Sequence, residues 1–89
     1  MPIKHINYLI ITNLMNIKVY VGKDPYSDML KNLLQYYNTE FENIPIITEE
    51  DKQKLKEISG QDKTPVIDIN GKIFCGFDRE KIKHLLKLD

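Results

Sequence analysis

Eighty-nine residues, 42% apolar and 29% charged, suit one folded domain; they are too few for a second core and too apolar for a disordered chain. Thirteen Lys and Arg against thirteen Asp and Glu leave no net charge, which removes the electrostatic footprint expected of a binder of nucleic acid or of an anionic membrane. The single cysteine, Cys75, excludes an intrachain disulfide and a cysteine-based zinc site, and it points to a reducing compartment, with the cytoplasm the expected location.

Residues 1–14, MPIKHINYLIITNL, form an N-terminal extension with two conflicting periods. Ile3, Ile6, Ile10 and Leu14 recur at helical intervals, whereas Tyr8, Ile10 and Thr12 alternate as a strand does. An added edge strand, a short helix and a tail all fit. The apolar run at residues 8–11 is too short for a signal-peptide core, and no stretch approaches the roughly 20 apolar residues that span a bilayer. The compact domain is expected over residues 15–89, with Met15 a plausible natural start.

NIKVYV, residues 16–21, reads as a mostly apolar and central strand broken by Gly22. Asp24 then caps a helix with Pro25 at its first position, and Met29, Leu30, Leu33, Leu34 and Tyr37 give that helix an apolar face until it stops near Asn38. In FENIPII, residues 41–47, only the first half reads as an internal strand. Pro45 cannot donate to a ladder and marks a sheet edge or a strand exit. Thr48 with Asp51 imitates a capping box for a polar helix whose apolar stripe is Leu55 and Ile58 and whose end is Ser59-Gly60. TPVIDI, residues 64–69, and KIFC, residues 72–75, are two strands joined by Asn70-Gly71, the strongest two-residue hairpin signal. After Gly76 and Phe77, Asp78 caps a last helix whose apolar face is Ile82, Leu85 and Leu86. A parallel first pair followed by a hairpin implies a small mixed sheet covered by helices.

Several chemical readings are weak from the outset. The backbone N–H groups after Asp24 would suit an anion or a nucleophile, but Asp24 and Ser27 lack a base or metal to make them catalysts. His5 and His84 have no partners at metal-binding spacing and read as surface residues. Glu49, Glu50 and Asp51 read as a helix first turn, and no phosphate-cradling Gly-rich loop is present.

NIKVYV, DPYS with Lys31 four residues later, TPVIDINGK, GFD and REKIKHLL occur in an order and spacing that resemble the glutaredoxin family, including its short bacterial electron-donor relatives, over residues 16–88. The resemblance implies an α/β thioredoxin-like fold, a four-stranded mixed sheet with helices on both faces. Glutaredoxins typically carry Cys-Pro-Tyr-Cys at the tip of the first helix. Here Asp24-Pro25-Tyr26-Ser27 stands there, in a loop one residue shorter than is common. Disulfide exchange needs a thiolate, and neither a carboxylate nor a serine hydroxyl replaces it.

By the same resemblance, Thr64-Pro65 is the cis-proline site beside which glutathione or a peptide lies, although only about 5–6% of X-Pro bonds in folded proteins are cis. Gly76, Phe77 and Asp78 match the turn that holds the glutamyl end of glutathione, with a helix cap as the simpler reading of Asp78. Lys23 lies near the family's basic carboxylate-binding position, or is a solvated lysine. Tyr26 shapes a groove or is an exposed aromatic. The Asp24 charge opposes an anionic tripeptide, so glutathione is expected to bind weakly or not at all, and no other cofactor or metal is expected. Cys75 is a strand-end apolar filler or a relocated thiol. The resulting expectation is a module that binds a protein or peptide beside Pro65 without redox chemistry; the alternative is an oxidoreductase using Cys75. Oligomeric state is open, since an edge strand or the apolar extension can serve a dimer.

Overall fold

The computed structural model describes residues 15–88, so the extension at 1–14 and His5 lie outside the described residues. In chain order the elements are β1 (Ile17–Val21), α1 (Pro25–Tyr36), β2 (Glu42–Pro45), α2 (Glu49–Ser59), β3 (Val66–Ile69), β4 (Lys72–Cys75) and α3 (Arg79–Leu86). The sheet order is β2-β1-β3-β4, with β1 parallel to β2 and antiparallel to β3, and β3 antiparallel to β4. A parallel pair needs a crossover long enough to return the chain, which α1 supplies; β3 and β4 need only a tight turn. Asn70 and Gly71 both take positive φ, 54° and 92°, as a turn matched to strand twist requires.

Alternation along the strands divides the core between two faces. Ile17, Val19 and Val21 join Ile67 and Ile69 on one face, covered by Leu30, Leu33 and Leu34 of α1 and by Ile82 and Leu86 of α3. Tyr20 and Val66 point to the other face, where Leu55 of α2 covers them with Ile44, Ile46 and Ile73 around it. Helices therefore lie on both faces, α1 and α3 on one and α2 alone on the other.

Several boundaries differ from the sequence expectation for local reasons. β1 begins at Ile17 because Asn16 is drawn to the hairpin: its N–H donates to Asn70 Oδ1 at 2.7 Å, and its carbonyl accepts from the Asn70 N–H at 2.8 Å. The first half of FENIPII is not internal: β2 is an edge strand throughout, as Pro45 allowed, and Pro45 is its last paired residue, opposite Val21. α1 ends at Tyr36, before Asn38, which has φ 54°. Met29 does not belong to the packed stripe. It is 49% exposed, while Ser27, one helical turn before Leu30, is fully buried.

In α2 the Thr48 hydroxyl accepts from the Asp51 N–H, and Asp51 Oδ2 accepts from the N–H groups of Thr48 and Ile47, all at 3.0 Å. Of its two apolar residues only Leu55 is core, at 1% exposed, against 44% for Ile58. No helix among the described residues is long and apolar enough to cross a membrane.

Candidate functional site

β1 delivers the chain to Gly22 and Lys23, and Asp24 then starts α1 from an extended conformation, φ −127° and ψ 157°. With Pro25 next, the first helical N–H is absent and φ is preset, so the Asp24 side chain serves the N–H groups that remain. Its Oδ1 accepts from the Ser27 N–H at 2.8 Å. Its Oδ2 accepts from the Ser27 hydroxyl at 2.8 Å and from the hydroxyl of Thr64. The Ser27 hydroxyl in turn accepts from the Gly22 N–H at 3.0 Å.

Partial burial pushes the Asp24 carboxyl up, but hydrogen bonds from the Thr64 hydroxyl, the Ser27 N–H, the Ser27 hydroxyl and the Tyr26 N–H outweigh it and hold the group below the ordinary carboxylate range. Asp24 is therefore an ionised and well-satisfied cap. Ser27 is fully buried, and its hydroxyl donates to Asp24 while accepting from the Gly22 N–H, so it presents no surface to a reactant and serves the cap.

Close approach of the two strands' ends depends on Gly22. A Cβ at this position would stand 2.3 Å from Thr64 Oγ1 and 3.2 Å from Asp24 Oδ2. The sequence marks Gly22 only as a strand breaker and Thr64 only by its backbone next to proline. Its hydroxyl and the space above Gly22 are tertiary facts with no local signal.

The Thr64–Pro65 peptide bond is cis. The Pro65 carbonyl accepts from the Gly76 N–H at 2.8 Å, which joins the turn after β4 to the proline loop. Hydrogen bonds from Ser27 and Thr64 to Asp24 and from Gly76 to Pro65, together with the Thr64–Pro65 peptide bond, thus link these five residues at the end of the sheet where β1 and β4 finish and β3 begins. Asp78 caps α3, its Oδ1 accepting from the Lys81 N–H at 3.1 Å. Phe77 is half-buried against the α1 and α3 face of the core, Tyr26 is 58% exposed, and Lys23 is exposed.

Cys75 is exposed rather than a core filler. It pairs with Val66, and opposite residues of an antiparallel pair share a face, so its side chain leaves the sheet on the α2 side. There its Sγ lies 3.8 Å from the Ser59 carbonyl oxygen. Asp24 heads α1 on the other face, so the register does not aim the thiol at the cap. His84 is exposed on α3, and no three His, Cys, Asp or Glu side chains among the described residues group as a metal site.

Known proteins share this frame. Among solved structures, a glutaredoxin from Archaeoglobus fulgidus matches with TM-score 0.70 at 26% identity, covering 89% of this chain and 94% of its own. Wheat glutaredoxin matches with TM-score 0.64 at 25% identity, covering 94% and 82%. A buckwheat glutaredoxin–glutathione complex matches in fold, with TM-score 0.65 at 22% identity, covering 91% and 78%. No curated protein matches the chain. The family model described as glutaredoxin matches residues 25–74, from the first residue of α1 into β4, and with more than half its length so matched the chain belongs to the glutaredoxin family.

Proposed function

We infer that this protein is a glutaredoxin-family module without thiol chemistry at the α1 tip, and that it acts by binding a protein or peptide beside Pro65. The observation that carries this reading is the occupation of the helix tip by the Asp24 carboxylate, satisfied by Ser27 and Thr64. A thiolate attacks sulfur and leaves from sulfur; a capped carboxylate does neither. Its charge also opposes an anionic tripeptide at the same place, so glutathione is at most a weak ligand, although the buckwheat relative was solved with it. The binding surface runs from exposed Tyr26 past half-buried Thr64, with the Pro65 side chain itself buried beneath it, to Gly76, Phe77 and Asp78. A single free cysteine fits residence in the cytoplasm.

Exposure of Cys75 favours a second reading, a glutathione-linked oxidoreductase using that thiol. One assay separates the two. The full chain is supplied with glutathione, glutathione reductase, NADPH and a glutathionylated peptide, and NADPH consumption is followed. We expect no rate above the protein-free control. A rate lost in Cys75→Ser and kept in Ser27→Ala would establish the second reading and overturn the first.

A further inference from the structure

The two faces of the sheet hold their helices very differently. α1 buries Ser27, Leu30, Leu33 and Leu34, and α3 buries Ile82 and Leu86, whereas α2 buries Leu55 alone. Seven of the eleven residues of α2 are charged, and Ile58, its second apolar residue, is exposed. An isolated helix shorter than about 12–15 residues is marginal in water, so α2 is formed because it packs. What it packs with is one leucine over Tyr20 and Val66.

Polar contacts do not fasten α2 to the sheet either. Its ion pairs, Lys52 with Glu49 and Lys54 with Glu50, lie within the helix. Its caps are equally local: Thr48 and Asp51 serve each other, and the Gly60 N–H, on a residue with φ 82°, donates to the Lys56 carbonyl at 2.8 Å. Among the described residues, the polar contact that reaches α2 from another element is the long approach of Cys75 Sγ to the Ser59 carbonyl, 3.8 Å.

Both ends of the segment, in contrast, are pinned near the end of β1. The Ile46 N–H donates to the Val21 carbonyl at 2.8 Å, and the Thr64 hydroxyl donates to Asp24. Residues 47–63 therefore leave and rejoin the body at two fixed points, with little holding the stretch between them. We propose that residues 47–63 form a flap that opens from the sheet in the native protein while β1, α1, α3 and the Asp24–Thr64 tie stay in place. Opening uncovers Tyr20 and Val66 together with half-buried Ile44 and Ile73, so α2 is a movable cover over an apolar sheet face. The surface beside Pro65 survives the opening, because Asp24 holds Thr64 and the Gly76 N–H holds the Pro65 carbonyl.

The test is amide hydrogen exchange of the full chain, followed residue by residue by NMR without urea and at urea concentrations below the unfolding transition. Amides of residues 53–59 in α2 should be protected at least about tenfold less than those of β1 and α1, with a weaker urea dependence, since the flap exposes less surface than global unfolding does. Ile82→Val removes one methylene from the opposite face; it should lower the protection of β1 and α1 several-fold and leave that of α2 unchanged. Equal protection and equal urea dependence in α2 and β1 overturn the proposal, because α2 then opens only with the whole domain. A parallel loss of protection in α2 on Ile82→Val overturns it for the same reason.

Discussion

The Thr64 hydroxyl donates to Asp24 Oδ2 and so joins residues forty positions apart, the residue before the cis proline and the cap of α1. The bond sits above Gly22, where a side chain has no room. One carboxylate thereby does two things: it caps a helix and it ties the helix tip to the proline loop. Four expectations follow from this arrangement and from the core beneath it.

Asp24→Ala should destabilise the protein by about 1–2 kcal/mol in urea unfolding, since it removes an N-cap and leaves the Thr64 and Ser27 hydroxyls without their acceptor. Asp24→Asn should cost less, because an amide oxygen still accepts. Equal stability of Asp24→Ala and the parent chain would show that the cap is dispensable.

The same carboxylate sets an acid dependence. Its folded pKa lies below the ordinary value, so its contribution is complete at neutral pH and is lost as pH falls below about 4 toward the depressed folded value. Chemical denaturation between pH 6 and pH 3 should therefore show a smaller loss of stability in Asp24→Asn than in the parent chain. A parallel decline in both would assign the acid sensitivity to other carboxylates.

Gly22→Ala places a Cβ against Thr64 Oγ1 and should cost about 1–3 kcal/mol, the range for overpacking. Thr64→Ala removes that oxygen, so the double substitution should cost less than the sum of the two single ones. Strict additivity in this cycle would separate Gly22 from the Thr64 contact.

Leu55 and Ile58 have the same chemistry on the same helix but not the same burial, 1% against 44% exposed. Leu55→Ala should lower the unfolding free energy by about 2–5 kcal/mol and release α2 from the sheet, whereas Ile58→Ala should change it by less than about 1 kcal/mol. The midpoints of two urea curves decide the matter.

The chain by itself determined its element order, the hairpin at Asn70-Gly71, the caps at Asp24, Thr48 and Asp78, and the likeness to glutaredoxins. The elements, hairpin and caps are each written within a few residues, as a capping pattern, a turn dipeptide or a hydrophobic period, and the likeness is carried by the order and spacing of such segments over residues 16–88; neither needs knowledge of what lies across the sheet. Tertiary structure alone decided which of two apolar candidates is core: Leu55 over Ile58, and buried Ser27 beside exposed Met29. It also decided between the sheet edge and the strand exit that Pro45 allowed, and it decided that Cys75 faces α2 while Asp24 heads α1 on the opposite face, and that Thr64 reaches Asp24 across the gap left by Gly22. These facts depend on strand order and register, which bring distant residues together through contacts that no local pattern encodes.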